Sequence, residues 1–374
     1  MKMLLRLLPA CFALLLVLTA SVAAQDAIPI WDDLQTGTWT QISPGGDTVC
    51  SNGTPFSYFV RPADEPSDDL LVHFQGGGAC WFADSCDLTR SPTYDPFVDE
   101  TDNPANSPVG IFDFENADNP FSDYNMVLVP YCTGDVHIGN AETTYETPAS
   151  RSREAGSVTI QHRGFVNASA VLDWTFENVP EPETVFVTGC SAGAIPSPFY
   201  TQFIAEAYPA ARIEQLGDAA GGYRNPALTE AVFGSWGTEN ILSDLYAGID
   251  INDLRFETFY STVAAAFPDI TMTQYNAAYD QVQTGFLLLG GLRGFELPDL
   301  LSANYADIEA GDTDNFASFT VGGNSHCVTV TPDFYTYGVN GQRFVDWVAD
   351  LAAGDTVETM ICEGDACEEV EIIE

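Results

Sequence analysis

Gly189-Cys190-Ser191-Ala192-Gly193 follows the apolar run TVFV and precedes a proline-bearing segment with helical spacing. A G-x-S-x-G between a buried strand and a helix forces its serine into a strained turn, with glycines where bulkier residues would strike neighbouring backbone. Ser191 is therefore a candidate nucleophile whose hydroxyl faces the carboxyl end of a sheet, where α/β proteins place their ligands. Acyl transfer by a serine also needs donors for the developing oxyanion. The stretch VHFQGGGACW (72–81) follows an early apolar run, and its glycines can turn backbone N–H groups toward such a charge. Gly77, Gly78 and the amide of Ala192 are the candidate donors.

A base and an acid complete such a site. Four histidines are available: His73, His137, His162 and His326. His73 lies within a strand and is expected to be packed. His162, just ahead of a helix, is expected to cap it or lie at the surface, and His137 follows a strand that could bring it to the pocket. His326 follows the late run ASFTVG, and the chain order Ser, acid, His selects it as the base. The acid then falls between Ser191 and His326. Asp218 and Asp280 both follow candidate strands and are not separated by the residues alone, whereas Asp312 and Asp314 read as an exposed turn. Whichever acid acts holds the imidazole tautomer and stabilises imidazolium.

These groups need a scaffold that gathers strand ends. Short apolar runs recur at 69–74, 125–130, 184–189, 212–217, 269–275 and 317–322, several of them continuously hydrophobic, as strands buried on both faces must be. Between them RGFVNASAVLDWTFENV and PSPFYTQFIAEAY have helical spacing, and GQRFVDWVADLAAG forms a last helix with a glycine stop. The alternation predicts an α/β fold, a mainly parallel sheet with helices on both faces. Residues 81–122, rich in Asp, Asn and Pro, are too long for a plain connection and read as a surface insertion near the site. The acidic tail beyond Gly354 reads as a solvated end or an edge strand.

Composition narrows the function. Lys2 and Arg6 precede an apolar run that ends in small residues, which reads as an export signal over residues 1–24. That run is short for a membrane span and carries a proline, and no later segment is apolar enough to serve as a stable anchor. Removing it leaves 25–374 as one catalytic domain with 10 basic against 54 acidic residues, a net charge of −44. No lysine remains, which excludes a phosphate-loop lysine, a Schiff base and a Ser-Lys dyad. So negative a field also repels nucleic acid and suits a salty medium. Eight cysteines remain, an even number that fits disulfides in an exported protein, and CWFADSC and CEGDAC read as local bridges. Zinc is disfavoured because no C-x-x-C occurs.

The stretches HFQGGGACW, VPYCTGDVHIGN, HRGF, VTGCSAGA, YDQVQ and NSHC together resemble the pectin acetylesterase/Notum family of secreted carboxylesterases, in pieces across nearly the whole mature chain. The resemblance implies an α/β-hydrolase fold with Ser191 as nucleophile, Asp280 as acid and His326 as base. It prefers Asp280 because the family's aspartate stands in an Asp-x-x-Gln context, and it leaves Asp218 a structural role near the pocket floor. It also places the oxyanion donors on Gly77, Gly78 and Ala192 and matches Cys80 and Cys86 to a local disulfide. Two departures stand out: Ala194 replaces a common glycine, and residues 222–268, a region that usually supplies lid and pocket walls, match poorly.

The expected activity is hydrolysis of short acyl esters, acetyl above all, on a polysaccharide such as pectin, by a secreted or periplasmic monomer that needs no metal or other cofactor. The charge argues against polygalacturonate unless salt screens it. A neutral acetylated glycan, a lipid-modified protein or an aliphatic polyester would meet less repulsion. A carbohydrate-binding pseudoenzyme and a metal-dependent hydrolase are the rivals; the latter lacks any H-x-x-x-H spacing.

Overall fold

The computed structural model describes residues 28–147, 149, 154–311 and 314–373. The expected export signal, and Asp312, lie outside them. Among the described residues nine strands form one sheet: β1 (Thr40–Ile42), β2 (Tyr58–Arg61), β3 (Asp69–Phe74), β4 (Asn125–Val129), β5 (Thr184–Cys190), β6 (Arg212–Asp218), β7 (Thr271–Ala277), β8 (Phe316–Val321) and β9 (Met360–Ile361). Their spatial order is β1-β2-β4-β3-β5-β6-β7-β8-β9, antiparallel at the first two pairings and parallel from β4 to β9. This is an α/β-hydrolase fold.

The long apolar runs become the inner strands because both faces are covered. Every residue of β4 and β5 is buried. One face carries α1 (Gly164–Asn178), α2 (Ser197–Ala207), α3 (Pro226–Trp236), α4 (Phe256–Ala266) and α6 (Leu297–Glu309) over a core that includes Val185, Val187 and Met272. The other carries α7 (Phe344–Ala353), whose Phe344 and Trp347 pack on Phe319. Gly354 ends α7 in the left-handed conformation, the glycine stop legible in the sequence. The acidic tail supplies the edge strand β9, closed by the Cys362–Cys367 disulfide.

The insertion at 81–122 is less superficial than expected. Ile111, Phe112 and Phe121 are buried in the same core cluster as the apolar side of α7, so this segment covers sheet that would otherwise meet water. His162 is neither a cap nor at the surface. It ends a hairpin formed by Ala141–Thr147 and Gly156–His162, is fully buried, donates from Nδ1 to the Thr133 carbonyl at 3.0 Å and accepts from the Tyr145 hydroxyl at 2.8 Å.

Candidate active site

The register of the parallel strands brings four chain ends to one rim. Gly189 of β5 lies opposite Phe74 of β3 and Gly217 of β6, Cys190 lies opposite Asp218, and Ala277 of β7 lies opposite Val321 of β8. The chain then leaves β3 into the glycine loop, β5 into Ser191, β7 toward Asp280 and β8 toward His326.

Ser191 stands at φ 52°, in the left-handed region that side chains avoid. The neighbouring glycines permit the turn. A Cβ on Gly189 would come within 2.2 Å of the Gly193 carbonyl oxygen, and one on Gly193 within 1.9 Å of the Phe74 carbonyl oxygen. The serine is followed at once by helical turns, with Ser197–Ala207 continuing as α2. A sharp strand-to-helix turn of this kind presents a hydroxyl at the sheet's carboxyl edge.

Asp280 caps α5 (Gln281–Leu289). Its Oδ1 accepts from the amides of Val282 at 2.8 Å and Gln283 at 3.0 Å, while Oδ2 accepts from Gln283 Nε2 at 3.0 Å and from His326 Nδ1 at 2.7 Å. Both carboxylate oxygens are thus saturated by donors, and the imidazole is held with Nδ1 protonated and Nε2 left for other work. Asp218 does something different. Its Oδ2 accepts from the amides of Val328 and Thr329 and from the Thr329 hydroxyl, at 2.9, 2.8 and 2.6 Å. It therefore anchors the backbone just beyond His326 and makes no direct bond to the ring. Burial pushes its carboxyl up to about 6, opposed by the Thr329 bonds and by the nearby His326.

A disulfide joins Cys190 to Cys327, with Cα atoms 5.6 Å apart. It links the residue before Ser191 to the residue after His326, segments 137 positions apart. The second long bridge, Cys50–Cys132, and the two short ones, Cys80–Cys86 and Cys362–Cys367, complete the set of four. The short pair are those legible from spacing.

The glycine loop is braced from behind. Gln75 accepts from the Tyr131 amide through Oε1 and donates through Nε2 to Asp102, while its carbonyl accepts from His137 Nε2 at 2.8 Å. Gly77 and Gly78 both have positive φ, and a Cβ on Gly78 would come within 1.9 Å of the Thr93 carbonyl oxygen. His137 is consequently a support for this loop, buried and held neutral, with burial lowering it to about 4. Asp135 steadies the turn that carries it, accepting from the Thr133 hydroxyl at 2.6 Å and the Gly164 amide at 2.8 Å. His73 is packed edge-on against Phe112, and burial lowers it to about 3.

Ser191 and Ala192 open onto an apolar cavity whose walls include Trp81, Ile195, Tyr223, Trp236 and Phe286, with about 40 Å³ open to the centre of a water molecule. Leu228, Val232 and Phe256 also line it, so the 222–268 region does supply pocket walls. Tyr223 is a wall residue of this cavity that the sequence reading missed. Burial pushes its phenol far up, the Asp280 charge adds to this, and a hydrogen bond with Ser191 acts in the opposite sense. Its loop is tied to the acid, because the Gly222 amide donates to Gln283 Oε1 at 2.7 Å and Gln283 in turn donates to Asp280. The signal available was the pair Gly221-Gly222, where a Cβ would meet Gln274 Oε1 at 2.6 Å and Leu297 Cδ1 at 2.4 Å.

A family model described as pectinacetylesterase matches residues 39–231. The chain is 26% identical over 189 residues to "Pectin acetylesterase 7" of Arabidopsis thaliana, an alignment that covers 50% of this chain and 43% of that protein. It is 33% identical over 92 residues to "Palmitoleoyl-protein carboxylesterase NOTUM" of Schmidtea mediterranea, covering 24% of this chain and 18% of that one. It is also 29% identical over 105 residues to "Inactive palmitoleoyl-protein carboxylesterase notum1b" of Danio rerio, covering 28% of this chain and 75% of that one. The alignments thus span less than half the length of the first two relatives.

Proposed function

Since the chain belongs to the pectinacetylesterase family, we propose that it is a serine carboxylesterase that removes short acyl groups, acetyl above all, from a polysaccharide. Ser191 is the nucleophile, His326 the base and Asp280 the acid that orients it. The observation that carries this reading is the Asp280–His326 bond of 2.7 Å on a loop whose next residue is disulfide-bonded to the residue before Ser191.

In the first step His326 Nε2 takes the Ser191 proton as Oγ adds to the ester carbonyl, and the imidazolium is stabilised by Asp280. The amides of Gly77, Gly78 and Ala192 donate to the oxyanion, each worth ~3 kcal/mol in comparable sites. Collapse breaks the bond to the alcohol oxygen, which takes the proton from His326. Water then gives a proton to His326, attacks the acyl-serine, and the carboxylic acid leaves as Ser191 recovers its hydrogen. The reaction draws on these side chains and amides and on water.

The cavity beside Ser191 supports the acyl preference. A water needs roughly 10–15 Å³ on the same measure, so about 40 Å³ is enough for an acetyl-sized group. Four disulfides suit an oxidising compartment, in keeping with a secreted or periplasmic protein. The pseudoenzyme reading, raised again by the relative named inactive, is countered by the retention of serine, imidazole, carboxylate and glycine loop together.

Hydrolysis of p-nitrophenyl acetate by the wild type and by Ser191→Ala tests the proposal. The variant is expected to lose at least a thousandfold in kcat. Equal rates would remove Ser191 from the mechanism.

A further inference from the structure

Beside the acid and base loops lies a cleft of about 640 Å³. Its size falls within the range of sites that enclose small ligands. Tyr279, Gln281, Asn324, Tyr337, Glu368 and Glu369 contribute to its walls. Tyr279 immediately precedes Asp280 and is 40% exposed, so its ring is accessible from the cleft. Asn324 lies two residues before His326, and the Tyr279 amide donates to the Gly323 carbonyl at 2.9 Å, so a backbone bond joins the two walls next to the candidate acid and base. A second cavity of about 330 Å³ shares Tyr279 and Gln281 and adds Thr284 and Glu296. Tyr279 therefore borders both openings, a ring flanked by hydrogen-bonding side chains.

We propose that this cleft is a saccharide subsite, taking an uncharged oligosaccharide stretch against Tyr279 and rejecting uronate chains. The proposal rests on the esterase reading for its substrate but not for its binding. A pyranose offers an apolar C–H face and a rim of hydroxyls. An exposed aromatic ring covers the face, since its body is apolar and its edge polar. Amides such as Gln281 and Asn324 can donate and accept, and carboxylates accept from hydroxyls. The same carboxylates discriminate. Glu296, Glu368 and Glu369 line the two cavities, and no arginine lines either. A galacturonate carboxylate placed there would meet like charge without a cation to offset it, an effect strongest at low ionic strength.

Binding can be read without turnover. The full chain carrying Ser191→Ala is titrated calorimetrically in 50 mM NaCl with xylohexaose, mannohexaose, cellohexaose and hexagalacturonate. At least one neutral hexamer is expected to bind and hexagalacturonate is not. Adding Tyr279→Ala is expected to weaken the neutral ligand at least tenfold, with Asn324→Ala as a second, milder variant should the first fail to fold. Adding Glu368→Gln and Glu369→Gln is expected to admit hexagalacturonate. Absence of binding by every neutral hexamer, unchanged affinity in the folded Tyr279→Ala protein, or tight hexagalacturonate binding without those changes would overturn the proposal. Failure of the wild type to hydrolyse p-nitrophenyl acetate would instead overturn the esterase reading and leave the binding result intact.

Discussion

Tyr223 and Gln283 connect the candidate nucleophile to its acid by a route outside the three expected side chains. Gln283 donates to Asp280 and to Asn276 Oδ1 and accepts from Gly222, so a single buried amide fixes both the carboxylate and the loop that presents the Tyr223 ring. Burial keeps the phenol protonated, and a protonated phenol beside Ser191 can donate to the oxygen that gains negative charge during attack. Tyr223→Phe removes that donor and little volume. A neutral hydrogen bond is worth about 0.5–1.5 kcal/mol, so kcat on p-nitrophenyl acetate is expected to fall roughly three- to tenfold with KM nearly constant. An unchanged kcat would mean that the phenol only packs. Ser191 was legible because a strand, two glycines and a helix start constrain one another locally. The choice between Asp218 and Asp280 was not legible from the residues alone, because both follow strands that end on the same rim. What separates them is where Thr329 and Gln283 point, and that is set by packing.

At the level of elements, the loop carrying His326 is held at three places: by Asp280 on the ring, by Asp218 on the amides of Val328 and Thr329, and by the disulfide at Cys327. Cys327 and Ala219 share positive φ with Ser191, so three neighbouring turns are strained at once. Each such turn costs of order 1–3 kcal/mol and persists only where the surroundings enforce it. Asp218 is part of that enforcement and carries a pH signature. Its folded pKa of about 6 lies above the value of an unfolded aspartate, near 3.9. Its contribution to stability is therefore fully present below about pH 4 and is lost as pH rises through 6. Asp218→Asn can keep an acceptor toward Thr329 without titrating. Relative to wild type, the variant is expected to gain on the order of 3 kcal/mol between pH 4 and pH 7, measured by denaturant unfolding at both. A constant difference would show that Asp218 holds the same charge throughout. The inner strands and the helices α1, α2 and α7 were readable because their burial is continuous or periodic. The hairpin at Ala141–Thr147 and Gly156–His162 was not, because its residues alternate weakly and are mostly polar. The long disulfides were not either, since pairing across 82 or 137 positions follows from sheet order.

For the molecule as a whole the acidic imbalance dominates. Arg61, Arg212, Arg224 and Arg343 are already paired with Asp64, Glu214, Glu257, Asp307, Asp118 and Asp346, and Arg61 also lies over the Phe114 ring at 3.8 Å. With 54 acidic residues in the chain, most carboxylates have no cation to meet, and folding brings them closer together than the extended chain would. The resulting repulsion acts over many charges at distances comparable to the Debye length, about 10 Å at 0.1 M and 3 Å at 1 M salt. Salt should therefore stabilise the folded state even though it weakens the few ion pairs, because the repulsive pairs outnumber the attractive ones. The Tm at pH 7 is expected to rise by several degrees between 0.05 and 1 M NaCl, and to do so equally in KCl, followed by differential scanning calorimetry. The same screening should raise the rate on acetylated galacturonan relative to an acetylated neutral glycan, since only the former pays for approaching a like-charged surface. A Tm that stays flat or falls with salt would mean that the carboxylates are spaced widely enough for water alone to quiet them, and the charge argument for substrate preference would fall with it.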